Sequence, residues 1–309
     1  MPTFIDDICR QELDITIRQS RRINDGNSKE TWALVTEDGD IIYFHQGTDR
    51  LRDEVALMRR IRQETPIPVA PILAAGVAHH SFYFITAEIS GDSLDTQITR
   101  LAHPKLHNIV TTFGRYLGIV QNLRSWKHHG PLSIKEDVFE VTPSYSGSSF
   151  LEVLWQNNME TMPPELKALC DRIEQIIDWQ GMLEPVAAYV YPWDFRPGNM
   201  ISDAGELVGV LDWGEPIAAP ASLGYAKVEY ICLDWFGLDH LRRHFRAGYE
   251  SVRSVEWSEE EYAISRLVAI IHSGVDRNGD VTRPGYPLAS ETEALIFHSE
   301  KLKEATTAI

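Results

Sequence analysis

Cysteine is scarce in this sequence: the three present are Cys9, Cys170 and Cys232. They stand far apart and form no C-x-x-C pair. Neither a disulfide framework nor a zinc site is expected, and a reducing, cytoplasmic setting fits. Long apolar runs are missing too. No stretch approaches the roughly 18–20 residues a spanning helix needs, and the N-terminal residues lack the basic-then-apolar order of a secretory signal. Positive charge is in short supply. There are 29 Lys and Arg against 45 Asp and Glu, a formal net charge of −16. Such a surface repels nucleic acid and anionic membranes, so neither is an expected partner. It would favour a cationic ligand, although acidity also serves solubility alone. No internal repeat or low-complexity tract is visible.

What is present is an ordinary globular composition. The 309 residues are 43% hydrophobic and 24% charged. That suffices for a large core in one domain or two lobes. The first ninety residues read as strand-rich. Residues 31–35 and 41–44 are apolar and β-branched, and the turn Glu37-Asp38-Gly39-Asp40 between them predicts a hairpin. Leu51, Val55, Leu57, Met58 and Ile61 predict a helix over 50–62, and Pro66 and Pro68 follow its end. Residues 82–85 read as a further strand, and residues 88–91 as a hinge. From residue 94 the pattern is mainly helical, with helices expected over 109–123, 166–177, 221–233, 239–252 and 258–272. Residues 186–213 return to strand and loop. A strand-rich unit followed by a helix-rich one predicts an α+β order.

The chemistry concentrates in residues 191–199, Tyr-Pro-Trp-Asp-Phe-Arg-Pro-Gly-Asn, and 209–214, Gly-Val-Leu-Asp-Trp-Gly. Phosphoryl transfer to a hydroxyl needs a carboxylate for the hydroxyl proton. It also needs an amide oxygen and a second carboxylate to hold Mg²⁺ against the phosphates. Kinases meet this with a D-x-x-x-x-N loop and a later strand-end aspartate. Asp194, Asn199 and Asp212 have that spacing. They are read as the base and two metal ligands, hard oxygen donors that suit Mg²⁺. A turn-rich hairpin in which Asp194 and Asn199 cap the backbone is the plainer alternative.

These two segments resemble the aminoglycoside phosphotransferase family, which includes choline-kinase-like members and carries HGDxxxxN followed by IDW or LDW. The resemblance covers about residues 20–235. It implies a two-lobed protein-kinase-like fold: a small β-rich nucleotide-binding lobe over 1–90, and a larger helical lobe over 91–309 with the catalytic loop and acceptor site. It implies ATP, or GTP, with Mg²⁺, and a small-molecule hydroxyl acceptor. Gly26, Asn27 and Ser28 match the family's nucleotide-covering turn. Backbone groups near Glu88 and Ile89 match the hinge that meets the adenine. Glu54 matches the helix glutamate that pairs with the phosphate-binding base.

The departures fall at the same places. The family's HGD reads Pro192-Trp193-Asp194. Trp193 either packs in the core or lines an acceptor pocket. The strand position that usually holds Lys or Arg is His45, where a neutral imidazole grips phosphate less firmly than a fixed cation. Lys29, near the phosphate turn, either compensates or is an exposed lysine. Gln121 stands where the family often has His. Arg196 either contacts phosphate or pairs with acidic neighbours. His79, His80, His128 and His129 are read as surface loops. Asp234, Asp239, Glu259, Glu260 and Glu261 either draw in an amine-bearing acceptor or form a solvated face. A phosphotransferase is the leading expectation. A kinase-fold binding module without transfer, and a cleft repurposed for another biosynthetic reaction, are the alternatives that His45, Pro192 and Trp193 motivate.

Overall fold

The computed structural model describes residues 2–23, 29–135, 138–179, 187–192, 194–275, 279–282, 288 and 290–309. It begins with α1 (Thr3–Leu13), followed by β1 (Ile17–Ile23), β2 (Glu30–Thr36) and β3 (Ile41–Gly47). Helix α2 (Leu51–Glu64) and strands β4 (Ile72–Ala78) and β5 (Ser81–Ala87) come next. The five strands form one antiparallel sheet in the order β1-β2-β3-β5-β4. Alternation along the strands assigns its faces. Leu34, Ile42, Phe44, Tyr83 and Ile85 pack with Ile5, Ile8 and Cys9 of α1 in a small outer core. His45 and Phe84 take the other face, where their rings stack at 4.4 Å.

After β6 (Asp92–Ser93) the chain runs through α3 (His103–Gln121), β7 (Ser125–Trp126), β8 (Gly130–Lys135) and β9 (Val138–Val141). Then come α4 (Gly147–Met159), α5 (Pro164–Glu174), β10 (Ala188–Tyr191), β11 (Met200–Asp203), β12 (Glu206–Val210) and β13 (Ile217–Pro220). The last helices are α6 (Ala221–Cys232), α7 (Arg242–Glu250), α8 (Glu259–Gly274) and α9 (Glu291–Thr306). Strand β11 pairs with both β12 and β6, which ties the segment after the first sheet to the loop before β11.

The main core reaches from Leu51, Val55 and Met58 of α2 and Phe84 of β5 to Phe113, Val228, Leu267 and Leu302 in the helices. Every residue of α6 is buried, so this helix is the centre of the helical part. Helices α3 and α7 cross at two glycines. A Cβ added at Gly114 would lie 1.9 Å from the Phe245 backbone oxygen, and one at Gly248 would lie 1.8 Å from that of Thr111. Only glycine permits so close an approach of backbones.

The hairpin, the helix near 50–62 and the strand near 82–85 lie where the sequence places them. Helix α3 begins six residues earlier than the expected 109. Its Pro104 sits in the first turn, where no N–H is needed. Helices α1, α4 and α9 were not anticipated. The opening Gly-Ser-Ser of α4 reads as a turn, but Ser146 caps it by accepting from the Ser149 N–H. His79 and His80 are exposed in the β4–β5 turn with positive φ, and His128 is exposed. His129 departs from the surface reading: it is buried, and its backbone pairs with Tyr145. Among the described residues no helix is long and apolar enough to cross a membrane.

Candidate active site

One ion cluster forms between the five-stranded sheet, α2 and the segment after β12. Lys29, just before β2, reaches Glu54 Oε1 with its Nζ at 2.5 Å and Asp212 Oδ1 at 2.9 Å. Its side chain is 12% exposed, so it is not the surface lysine that one alternative allowed. Burial pulls the Lys29 pKa down, but the Glu54 and Asp212 carboxylates outweigh that and hold it above the ordinary value. Glu54 sits on the buried face of α2, where burial pushes its pKa up against the opposing pull of Lys29. One lysine facing two carboxylates leaves a surplus negative charge in a partly dry place, which favours a further cation.

A second cluster forms in the loop after β10. The Asp194 carboxylate accepts from Arg196 Nε at 2.9 and 3.0 Å, and from Asn199 Nδ2 at 2.9 Å on Oδ2. Asn199 Nδ2 also donates to the Asp194 backbone oxygen at 2.9 Å. Residues 197–199 form a 3₁₀ turn, started by Pro197 with its fixed φ. Phe195 points inward and is buried beside Trp213, whose indole donates to the Val210 backbone oxygen. The two aromatic anchors thus hold the loop and the end of β12 to the same core.

The two clusters are joined by one backbone bond. Leu211 N–H donates to the Asn199 carbonyl at 2.7 Å, so Asn199 lies beside the residue preceding Asp212. Asp212 itself takes the left-handed conformation, φ 55°, which Asp adopts more readily than most residues. The donor set fits Mg²⁺. Asn199 spends its amide nitrogen on Asp194, which leaves its Oδ1 as a donor, and Asp212 contributes a carboxylate. Among the described residues no group of three or more His, Cys, Asp or Glu is arranged to hold a metal. Magnesium does not require one: a carboxylate or two, water and substrate phosphate suffice.

Of the residues named from sequence, Glu54 and Asp212 meet in one cluster, and Asp194 and Asn199 in the other. Gly26, Asn27, Ser28 and Trp193 lie outside the described residues. His45 is in β3, with its ring between Thr31 Oγ1 at 3.2 Å and Thr86 Oγ1 at 3.4 Å. Burial, with the nearby Lys29 charge, holds its pKa well below the usual range, so the ring is neutral at physiological pH. Glu88 N–H is taken up by Ile41 O at 3.2 Å. The Glu88 residue lines a groove of about 400 Å³ with Ile15, Thr36, Asp38 and Asp40. Ile89 packs against Gly209 of β12.

Gln121 and part of the acidic set turn out to be structural. Gln121 is buried and bridges the Tyr249 hydroxyl and the Ala221 carbonyl. Asp234 is not a solvated charge. It is buried between Arg242 and Arg266, and Arg266 also binds Glu229 at 2.9 Å. Asp239, Glu259 and Glu260 are exposed. Lys29 was undervalued from sequence. The usable signal was its place just before the strand whose Thr31 pairs with His45.

A five-stranded antiparallel sheet over a helical body, with this loop and strand-end aspartate between them, defines a kinase-like phosphotransferase architecture. The profile of the phosphotransferase enzyme family, APH, matches residues 19–216, and the chain belongs to that family. No curated protein sequence matches. Solved structures do. The chain resembles the aminoglycoside phosphotransferase APH(4)-Ia with a TM-score of 0.66 at 12% identity, covering 100% of this chain and 99% of that one. A thermostable mutant of that protein, in complex with AMP-PNP and hygromycin B, gives 0.62 at 12% identity over 99% and 98% of the two chains. Spectinomycin phosphotransferase APH(9)-Ia, in complex with ADP and spectinomycin, gives 0.64 at 13% identity over 100% of each. The fold is therefore the two-lobed, protein-kinase-like α+β fold.

Proposed function

We propose that this chain transfers the terminal phosphoryl group of a nucleoside triphosphate, ATP or GTP, to a hydroxyl of a small molecule, with Mg²⁺ bound. The nucleotide lies between a strand-rich lobe, residues 1–90, and a helical lobe, residues 91–309. The observation that supports this best is the Leu211–Asn199 bond of 2.7 Å, which brings the Asp194 loop beside Asp212. Asp194 accepts the acceptor's hydroxyl proton. The acceptor oxygen bonds to the γ-phosphorus, the bond from that phosphorus to the bridging oxygen breaks, and the nucleoside diphosphate leaves. Asn199 Oδ1 and Asp212 would hold magnesium, which would neutralise phosphate charge when bound. Gly26, Asn27 and Ser28 cover the phosphates, and the backbone near Glu88 and Ile89 meets the base. Most of the acceleration comes from positioning and charge, not from covalent chemistry.

The acceptor reading is of a polyhydroxylated small molecule, with an amine favoured by the acidic surplus of the chain. The complexes of similar structures with hygromycin B and spectinomycin support that class. The test is an acceptor panel with Mg-ATP and Mg-GTP, read as nucleoside diphosphate release. Asp194→Asn is expected to cut turnover about 10²–10⁴-fold, the range for a lost general base. Its Mg-nucleotide affinity should stay near that of the native chain. Undiminished turnover would remove Asp194 from the base role.

A further inference from the structure

We infer that Lys29, entering from the start of β2, is the cation that grips the nucleotide phosphates, in the place left empty of charge by His45 on β3. The inference rests on the nucleotide reading above and names a residue in that same cleft.

Three observations carry it. The first is register. Thr31 of β2 is the partner of His45 of β3, and Lys29 directly precedes Glu30, the first residue of β2. The second is a shared platform. The His45 ring stacks on Phe84 at 4.4 Å, and Lys29 Nζ lies 5.7 Å from the centre of the same ring. Both side chains therefore address one spot on the inner face. The third is the partner set. Lys29 Nζ bridges Glu54 on α2 and Asp212 after β12, at 2.5 and 2.9 Å. A cation held by a helix carboxylate, next to the carboxylate that would hold magnesium, is aimed where phosphate oxygens would come.

His45 is occupied elsewhere. Both ring nitrogens face threonine hydroxyls, Thr31 and Thr86. A neutral ring so engaged has no charge to offer a phosphate. Lys29 has the charge, and it is paired so that its amine is oriented, not free to wander.

The experiment measures Mg-ATP and Mg-ADP affinity by calorimetry on the full chain. Lys29→Met is expected to weaken Mg-ATP by about 10- to 100-fold, the worth of a lost charge-assisted contact. Lys29→Met with His45→Lys returns a cation to β3 and should recover most of that loss. Lys29→Met alone strands the buried Glu54 charge and is expected to lower stability. Lys29→Met with Glu54→Gln removes both charges and keeps the fold testable by circular dichroism. If Lys29 only balances Glu54, that double variant binds Mg-ATP like the native chain, and the inference is overturned. If it touches phosphate, the double variant stays weak. Equal affinity of the folded Lys29→Met variant and the native chain also overturns it. A native chain that binds no Mg-nucleotide overturns both this inference and the phosphotransferase reading. A native chain that binds, with Lys29 variants unaffected, overturns this inference alone.

Discussion

Arg196 Nε donates to both carboxylate oxygens of Asp194, two residues earlier in the same loop. With Asn199 Nδ2 on Oδ2, the carboxylate is held from two sides before any substrate arrives. Arg196→Ala removes one of these holds and leaves Asp194 free to rotate. Turnover is expected to fall about 10- to 100-fold, the cost of a misplacement near 1 Å. Magnesium–nucleotide affinity, measured by calorimetry, should change far less. Arg196→Lys should recover only part of the rate, since a single ammonium lacks the planar guanidinium geometry. Full activity in the alanine variant would show that Asn199 orients Asp194 alone.

Asp212 combines a carboxylate with a left-handed backbone. Asn keeps that conformation at little cost, whereas Ala in it costs about 1–2 kcal/mol. Asp212→Asn should therefore melt above Asp212→Ala when no ligand is present. Both should lack the rise in melting temperature expected of the native chain with Mg-ATP. A ligand-induced rise that survives in Asp212→Asn would take the residue out of metal binding.

Gly114 and Gly248 let α3 and α7 touch through their backbones. A methyl group at either site meets a carbonyl oxygen that cannot step aside without moving a helix. Gly114→Ala should lower unfolding free energy by at least the 1–3 kcal/mol typical of overpacking, read from urea melts. The same change at Gly248 should cost a similar amount. The double variant should cost less than their sum, because one helix shift relieves both clashes.

The three thiols are buried. Burial, with Asp6 nearby, pushes Cys9 up to about 11, and burial first of all pushes Cys170 up to about 12. Burial likewise raises Cys232 well above the usual thiol range. In the unfolded chain these thiols ionise near 9.0, so between 9 and their folded values the unfolded state binds fewer protons. Stability should accordingly fall as pH rises above 9. At pH 8, iodoacetamide should label the native protein only as fast as it opens. Rapid labelling of all three in the folded state would contradict the burial.

Much of this was readable in the sequence because local signals and tertiary packing agreed. The Glu37–Asp40 turn fixed a hairpin, and the spacing of Leu51, Val55, Met58 and Ile61 fixed a buried helix face. Asp194, Asn199 and Asp212 stood out by spacing alone, and the fold does bring Asn199 against Asp194 and beside Leu211. Helix α4 was hidden because its opening residues favour turns, and only the buried contacts of Phe150, Leu151 and Trp155 make it worth forming. Lys29 was only half legible, as a compensating cation or an exposed lysine. An isolated lysine next to a polar turn has the composition of a surface residue. Its burial depends on Glu54 and Asp212, which lie 25 and 183 residues away in the chain. No local window contains that information. The buried carboxylate of Asp234 was missed likewise, since its counter-ions come from α7 and α8.

The main core runs without interruption from α2 and β5 into α6, α8 and α9. The strand-rich part and the helical part share that interior. An excised fragment ending at residue 90 would expose the apolar faces of Leu57 and Phe84 to water. Melting should accordingly be a single event, without a half-folded survivor.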